Sequence, residues 1–239
     1  MSLRVVVLLL LVGCRPAQLE ERRLVEPSQE GTRAVADAPG TYMGRRIAPT
    51  MTHDAADWLI REERDAEENA TKMLAELRLA PGDVACDLGA GNGYHTLKMA
   101  RAVAPAGRAF AVDVQPEMLE LLKARAEAAG IGNVVHVLGT QTDTKLPPAT
   151  CDLVLLADVY HELSDPEAVL ASARRALTAR GRLVLLEFRA EDPDVPIKPE
   201  HKMSKAQILR ELNANGFELD RSFDGLPWQH LMFFRAGAR

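Results

Sequence analysis

Asp87-Leu88-Gly89-Ala90-Gly91-Asn92-Gly93 is the stretch on which the reading of this chain turns. Apolar Val84-Ala85-Cys86 precedes it, and a helix-like run with Leu97, Met99, Ala100 and Val103 follows. The glycines therefore fall where a short buried strand turns into a helix. A Cβ at such a turn would collide or forbid positive φ, so glycine is what lets the backbone approach a ligand there. Twenty residues after Gly93, Asp113 closes a second strand-like run from Arg108, placed for its carboxylate to accept both hydroxyls of a ribose. Strand, glycine loop, helix, strand and terminal acid in succession point to a cofactor that carries a nucleoside.

Outward from this loop the pattern keeps alternating. Glu62 to Leu79 predicts a helix with Ala66, Ala70, Met73, Leu74 and Leu77 on one face, stopped by Pro81-Gly82. Pro116 at a first helical position and Gly130 beyond the last turn bracket another, and Val134 to Leu138 is a third strand. Cys151 to Ala157 is a fourth strand, apolar enough to be buried on both faces. Ser164 or Asp165 caps a helix expected to run to about Arg180, Leu183 to Glu187 is a fifth strand, and Ser204 to Asn215 is a final helix. Two strand-like segments, Gly216 to Phe223 and Trp228 to Arg235, flank Asp224-Gly225-Leu226-Pro227 as an antiparallel hairpin. The expected fold is α/β: a doubly wound, mostly parallel, seven-stranded sheet with a terminal antiparallel hairpin.

The spacing of the glycines selects the cofactor. The dinucleotide pattern G-x-G-x-x-G would put its third small residue at Tyr94, too bulky for a helix packed against a pyrophosphate, which disfavours a nicotinamide or flavin oxidoreductase. G-x-G-x-G preceded by Asp87 instead resembles motif I of the class I S-adenosylmethionine-dependent methyltransferases of the small-molecule type, and the resemblance extends from about residue 62 to 235. It implies that Gly89, Ala90, Gly91 and Gly93 run along the amino-acid part of S-adenosylmethionine, that Asp87 holds its ammonium, and that Asp113 binds its ribose. One departure stands out. Where such relatives often read Gly-Asp-Ala after the third strand, this chain reads Gly139-Thr140-Gln141-Thr142-Asp143, leaving Gln141 or Asp143 as the acceptor for the adenine amine.

Methyl transfer from a sulfonium needs the nucleophile in line with the methyl carbon, so positioning supplies most of the rate and a base is optional. Fourth-strand ends in this fold face the methyl, and here that end reads Asp158-Val159-Tyr160-His161-Glu162. His161 titrates near neutrality and is the candidate base; Asp158 and, at the fifth strand's end, Glu187 are further catalytic candidates. Structural roles, a pocket wall or an ion pair, compete with each of these. Metal-dependent catechol-type relatives follow the second acid with Asp-Asn, whereas Phe188-Arg189 follows Glu187, so no metal is expected. Signatures of DNA base methylation are absent, and the expected acceptor is a small molecule.

The amino terminus points elsewhere. Arg4 precedes the apolar run Val5 to Val12, which is too short to span a bilayer and has the shape of a secretory signal. Leu11-Val12-Gly13-Cys14 resembles a bacterial lipobox, implying residues 1–13 as signal, Cys14 as the lipidated residue and a location anchored in the cell envelope; a cytoplasmic location is the alternative. Residues 14–52 read as a tether, with Tyr42 to Met51 apolar and basic enough to fold over the domain at 53–239 as a lid. Export conflicts with a cofactor made in the cytosol, which keeps a lipid-anchored binding protein without turnover as a rival reading. With 239 residues, 47% apolar, 26% charged and a net charge of −5, the chain suits one globular domain with an extension and offers no basic footprint for nucleic acid. Cys86 and Cys151 are expected as free thiols, because the strand levels assigned to them lie about five residues, at ~3.3 Å each, apart.

Overall fold

The computed structural model describes residues 39–237; the signal-like segment, Cys14 and the tether up to residue 38 lie outside the described residues. Five parallel strands form its centre: β3 (Val84–Leu88), β4 (Arg108–Asp113), β5 (Val134–Leu138), β6 (Cys151–Ala157) and β7 (Leu177–Arg189). A terminal pair, β9 (Phe217–Phe223) and β10 (Gln229–Ala236), completes the order β5-β4-β3-β6-β7-β10-β9. β10 runs antiparallel to both of its neighbours, and a two-residue strand, β8 (Lys202–Met203), pairs with the end of β7. The expected doubly wound sheet with an antiparallel hairpin is the architecture found. The order reverses between β3 and β6, which opens a crevice above the carboxyl ends of β3, β4 and β6.

Burial on both faces explains why the central strands read as continuous apolar runs. Leu88, Val112, Val154, Leu156 and Leu185 pack on one face against α5 (Pro166–Ala176) and α6 (Lys205–Ala214) through Leu170, Ala173, Ile208 and Leu212. The alternate residues Ala85, Leu153, Leu155 and Val184 pack on the other face against α2 (Ala70–Leu77) and α3 (Tyr94–Val103). There α4 (Pro116–Ala128) adds Leu119 and Leu122 over Ala111. A fully enclosed leucine such as Leu155 contributes about 1.5–3 kcal/mol.

Local chemistry sets the helix ends. Ser204 and Asp165 accept from the backbone N–H groups of Gln207 and Ala168, so Asp165 is the cap of α5. The helix expected over Glu62–Leu79 is two, α1 (Arg64–Glu68) and α2, because Asn69 takes a left-handed conformation (φ 53°) and caps α2 through its side chain. α5 stops at Ala176 rather than about Arg180, and the chain passes directly into β7 at Leu177.

The expectation of free thiols is overturned: Cys86 and Cys151 form a disulfide, with Cα atoms 6.1 Å apart. Regular alternation would put Cys151 on the face of Leu153 and Leu155. Cys151 nonetheless lies on the face of Cys86, Val154 and Leu156. Cys86 stands opposite Val154, three residues past Cys151, so the two levels are closer than the five residues expected.

The described part of the lid segment is packed onto this domain. β1 (Thr41–Tyr42) and β2 (Arg45–Arg46) form a small ribbon. Arg45 reaches Glu211 at 2.7 Å and the carbonyl of His161 at 3.0 Å, and Ala48 N–H donates to the same carbonyl. A 3-10 helix over His53–Ile60 follows, held by Asn92 Nδ2 donating to Ala56 O and by Gln115, which bonds both Met51 O and His53 N.

Candidate active site

The crevice at the switch point is a cavity of about 580 Å³. Its strand-end wall is made by Leu88, Gly89, Gly91, Val112, Asp113, Gln115, Gly139, Thr140 and Gln141. Pro49 and Met51 of the segment before residue 53 and Trp58 and Leu59 of the 3-10 helix also line it, with Asp158, His161 and Glu162 after β6, Phe188 near the end of β7, and Pro196, Ile197 and His201 beyond it. Apolar side chains thus dominate the wall away from the glycine loop.

Gly89 and Gly91 show what the loop needs. Both have positive φ, and a Cβ would lie 2.5 Å from Val159 at the first and 2.9 Å from Leu59 at the second. Ala90 is buried beside them, and Gly93, also left-handed, is the N-cap of α3. Asp113 lines the cavity while its Oδ2 accepts from Gly91 N–H at 2.8 Å and its Oδ1 from Gln115 N–H at 2.9 Å. Each oxygen keeps a lone pair for a ligand hydroxyl. Burial raises this carboxyl above its ordinary range, against the lowering effect of those N–H groups.

Asp87 is enclosed and accepts from Thr96 Oγ1 at 2.5 Å. It lines a small recess that shares Leu59, Arg64, Gly89 and Ala157 with the main cavity. Burial first, and then the Asp113 charge, push its carboxyl up to about 7. Of the two adenine candidates, Gln141 lines the cavity and Asp143 does not. Asp143 is turned to Ser172 at 2.9 Å and to Lys145 Nζ at 3.0 Å, and Lys145 and Ser172 hold it down to about 2. The adenine role for Asp143 is therefore withdrawn; its lone pairs are spent on a local turn and on α5.

The three catalytic candidates come together at the far wall. Glu187 is fully buried and divides its carboxylate between Tyr160 N–H (2.8 Å) and His161 Nδ1 (2.6 Å). His161 Nε2 faces His201 Nδ1 at 3.1 Å. Burial alone would lower the imidazole pKa, but the Glu187 charge and hydrogen bond outweigh it and hold it above the ordinary value. Asp158, left-handed at φ 54°, accepts from Gln229 Nε2 at 2.9 Å while its Oδ1 has no hydrogen-bond partner. Burial, with Glu68 and Glu187 nearby, holds it well above the carboxylate range.

Other site residues escape pattern reading. Arg64 is buried, bonds Glu68 at 2.9 Å, stacks its guanidinium 4.1 Å from the Tyr94 ring centroid and stands 3.9 Å from Asp158. Nothing in the sequence separates this pair from a solvated i,i+4 ion pair on a helix. Glu162, pushed up to about 7 chiefly by burial, and His201 join the same wall.

Residues 79–225 match the family described as Methyltransferase domain. This chain belongs to that family. S-adenosylmethionine is its cofactor, and the site fits it: Gly89 and Gly91 let the loop run along the cavity without side chains, and Asp113 lines that cavity with a lone pair left on each oxygen. A 37.1 kDa protein of transposon TN4556 from Streptomyces fradiae is 30% identical over 72% of this chain and 54% of its own length. The ubiquinone/menaquinone biosynthesis C-methyltransferase UbiE of Vibrio vulnificus (strain YJ016) is 31% identical over 56% of this chain and 53% of its own. The chain thus spans about half the length of these relatives. The crystal structure of a SAM-dependent methyltransferase from Aquifex aeolicus superposes with a TM-score of 0.74 at 23% identity, over 78% of this chain and 100% of that one, and establishes the shared fold.

Proposed function

We propose that the chain transfers the sulfonium methyl of S-adenosylmethionine to a small, largely apolar acceptor. The carrying observation is the composition of the cavity wall: glycine loop, Asp113 and Gln141 at the strand ends, and Met51, Trp58, Leu59, Phe188 and Ile197 beyond them. When bound, the cofactor supplies an electrophilic methyl carbon. The chain's contribution is to hold both reactants in line and, through the lid segment, to keep water out. His161, steered by Glu187 on Nδ1, presents Nε2 at the acceptor end, where it can receive a proton from a hydroxyl. The relative named for C-methylation in ubiquinone/menaquinone biosynthesis supports an acceptor of this kind.

The test is calorimetric titration with S-adenosylmethionine and with NADH, followed by incubation with methyl-labelled cofactor and a panel of quinols, phenols and thiols. Binding of the sulfonium cofactor and label in a small acceptor are expected. Preference for NADH, or label transferred only to macromolecules, would overturn the reading.

We also infer that the chain is exported and lipid-anchored at Cys14. Support comes from the Cys86–Cys151 disulfide, a bond that persists in oxidising compartments and is rare in the cytosol. No helix among the described residues is long and apolar enough to cross a membrane.

A further inference from the structure

The wall that faces the acceptor carries a geometry that methyl transfer does not require. His161 Nε2, His201 Nδ1 and Glu162 Oε1 are separated by 3.1, 3.8 and 3.7 Å. Those sides define a triangle whose centre lies about 2.1 Å from every corner, the bond length of zinc to imidazole nitrogen and carboxylate oxygen. We propose that His161, His201 and Glu162 bind a divalent transition metal ion of the zinc class, with its fourth position open to the cavity.

Three features of the chain support this. His161 donates its Nδ1 proton to a fully buried Glu187 at 2.6 Å, which fixes the tautomer that leaves Nε2 bare. A carboxylate behind a ligand imidazole is the usual outer partner of a bound metal, because it orients the ring and raises its donor strength. The two imidazoles meet nitrogen to nitrogen within a wall that also holds Glu162, an arrangement that one cation satisfies at once. The donors come from two places on the chain, the short 3-10 turn Tyr160–Glu162 after β6 and the turn Pro199–His201 before β8, and Arg45 and Ala48 pin the first by its backbone.

Two imidazoles and one carboxylate with an open position make a site for zinc or a neighbouring first-row ion rather than for magnesium or calcium, which take oxygen ligands. The sequence argument against a metal concerned a different set of acids, at the ends of β6 and β7. With the ion bound, the Nε2 lone pair is committed to it, so the base role proposed above belongs to the metal-free protein. The proposal stands apart from the identity of the acceptor, since it concerns binding by this chain's own residues.

Chelator-stripped full-length protein should take up one equivalent of Zn2+ in competition with a chromophoric chelator, and Co2+ should give the visible bands of a four-coordinate site. His201→Ala, at a partly exposed position, should weaken Zn2+ binding by more than roughly 100-fold. Glu187→Gln should weaken it roughly 10–100-fold by releasing the His161 ring, and His136→Ala, on β5, should leave it unchanged. Glu162→Gln supplies a second ligand variant should His201→Ala lose its far-UV circular dichroism. Uptake well below one equivalent at micromolar free Zn2+, wild-type affinity in both ligand variants, or loss of binding in His136→Ala would overturn the proposal. None of these readings depends on methyl transfer.

Discussion

Asp87→Asn should make the ligand-free protein more stable at pH 8 while weakening its hold on the cofactor. The Asp87 carboxyl is 2% exposed, and its pKa stands at about 7 in the fold against 3.8 in an unfolded chain. Between these values the unfolded chain has lost the proton and the folded one keeps it. Stability therefore falls as pH rises from about 4 to 7, at about 1.4 kcal/mol per pH unit, and is flat above the folded pKa. The ionised side chain costs the empty site about 4 kcal/mol at pH 8 in all. Asparagine keeps an oxygen for the Thr96 hydroxyl and removes the charge. Denaturant unfolding of wild type and variant from pH 5 to pH 8 should show their difference moving by about 2–3 kcal/mol in favour of the variant. Saturating S-adenosylhomocysteine, whose ammonium would pair with the carboxylate, should narrow that difference by about 1.4–2.7 kcal/mol, because the variant should bind it roughly 10–100-fold more weakly, the worth of a charged hydrogen bond. A pH-independent stability difference with unchanged affinity would refute both the burial argument and the assigned role.

Asp113→Ala should lower cofactor affinity by about 1.5–3 kcal/mol in calorimetry, since it removes the ribose acceptor and the anchor of Gly91 N–H; unchanged affinity would reject its role. Replacing Cys86 and Cys151 by alanine should lower stability by about 4 kcal/mol in denaturant titration, the loop-closure cost over 65 residues, and unequal behaviour under reducing and non-reducing conditions should vanish with them. Mass spectrometry of membrane fractions should find a mature chain beginning at a diacylated Cys14; a soluble protein that retains Met1 would end the lipid-anchor reading.

The strands were legible because a parallel sheet buries both faces. Val84–Leu88, Arg108–Asp113 and Cys151–Ala157 run where the apolar runs put them, the edge strand Val134–Leu138 keeps its place though none of its residues is fully buried, and the glycine loop with Asp113 falls at the carboxyl ends of β3 and β4. What escaped depends on relations that periodicity does not encode. The break at Asn69 needs a side-chain cap that competes with an otherwise continuous helical pattern. Arg64 and Glu68 look like a surface pair until Tyr94 and Asp158 close over them. The disulfide depends on the register of β3 against β6, which sets Cys86 opposite Val154 and which the pattern of neither strand encodes. His201 lies 40 residues from His161, and only the turn before β8 brings the two rings together.

The fold spends stability on this site. Asp87 and Glu162 are both pushed to about 7 by burial, and Asp158 Oδ1 lacks a hydrogen-bond partner. Such groups oppose folding until a ligand arrives and persist only where the surroundings hold them. The disulfide sits one residue before Asp87 and ties β3 to β6, the two strands whose ends form the crevice. Its contribution of about 4 kcal/mol is of the same size as the cost of the ionised Asp87. Reduction would then weaken this protein first at the strand that carries the cofactor loop rather than at its periphery, and a compartment that keeps the bond oxidised would also keep the empty site ready to bind.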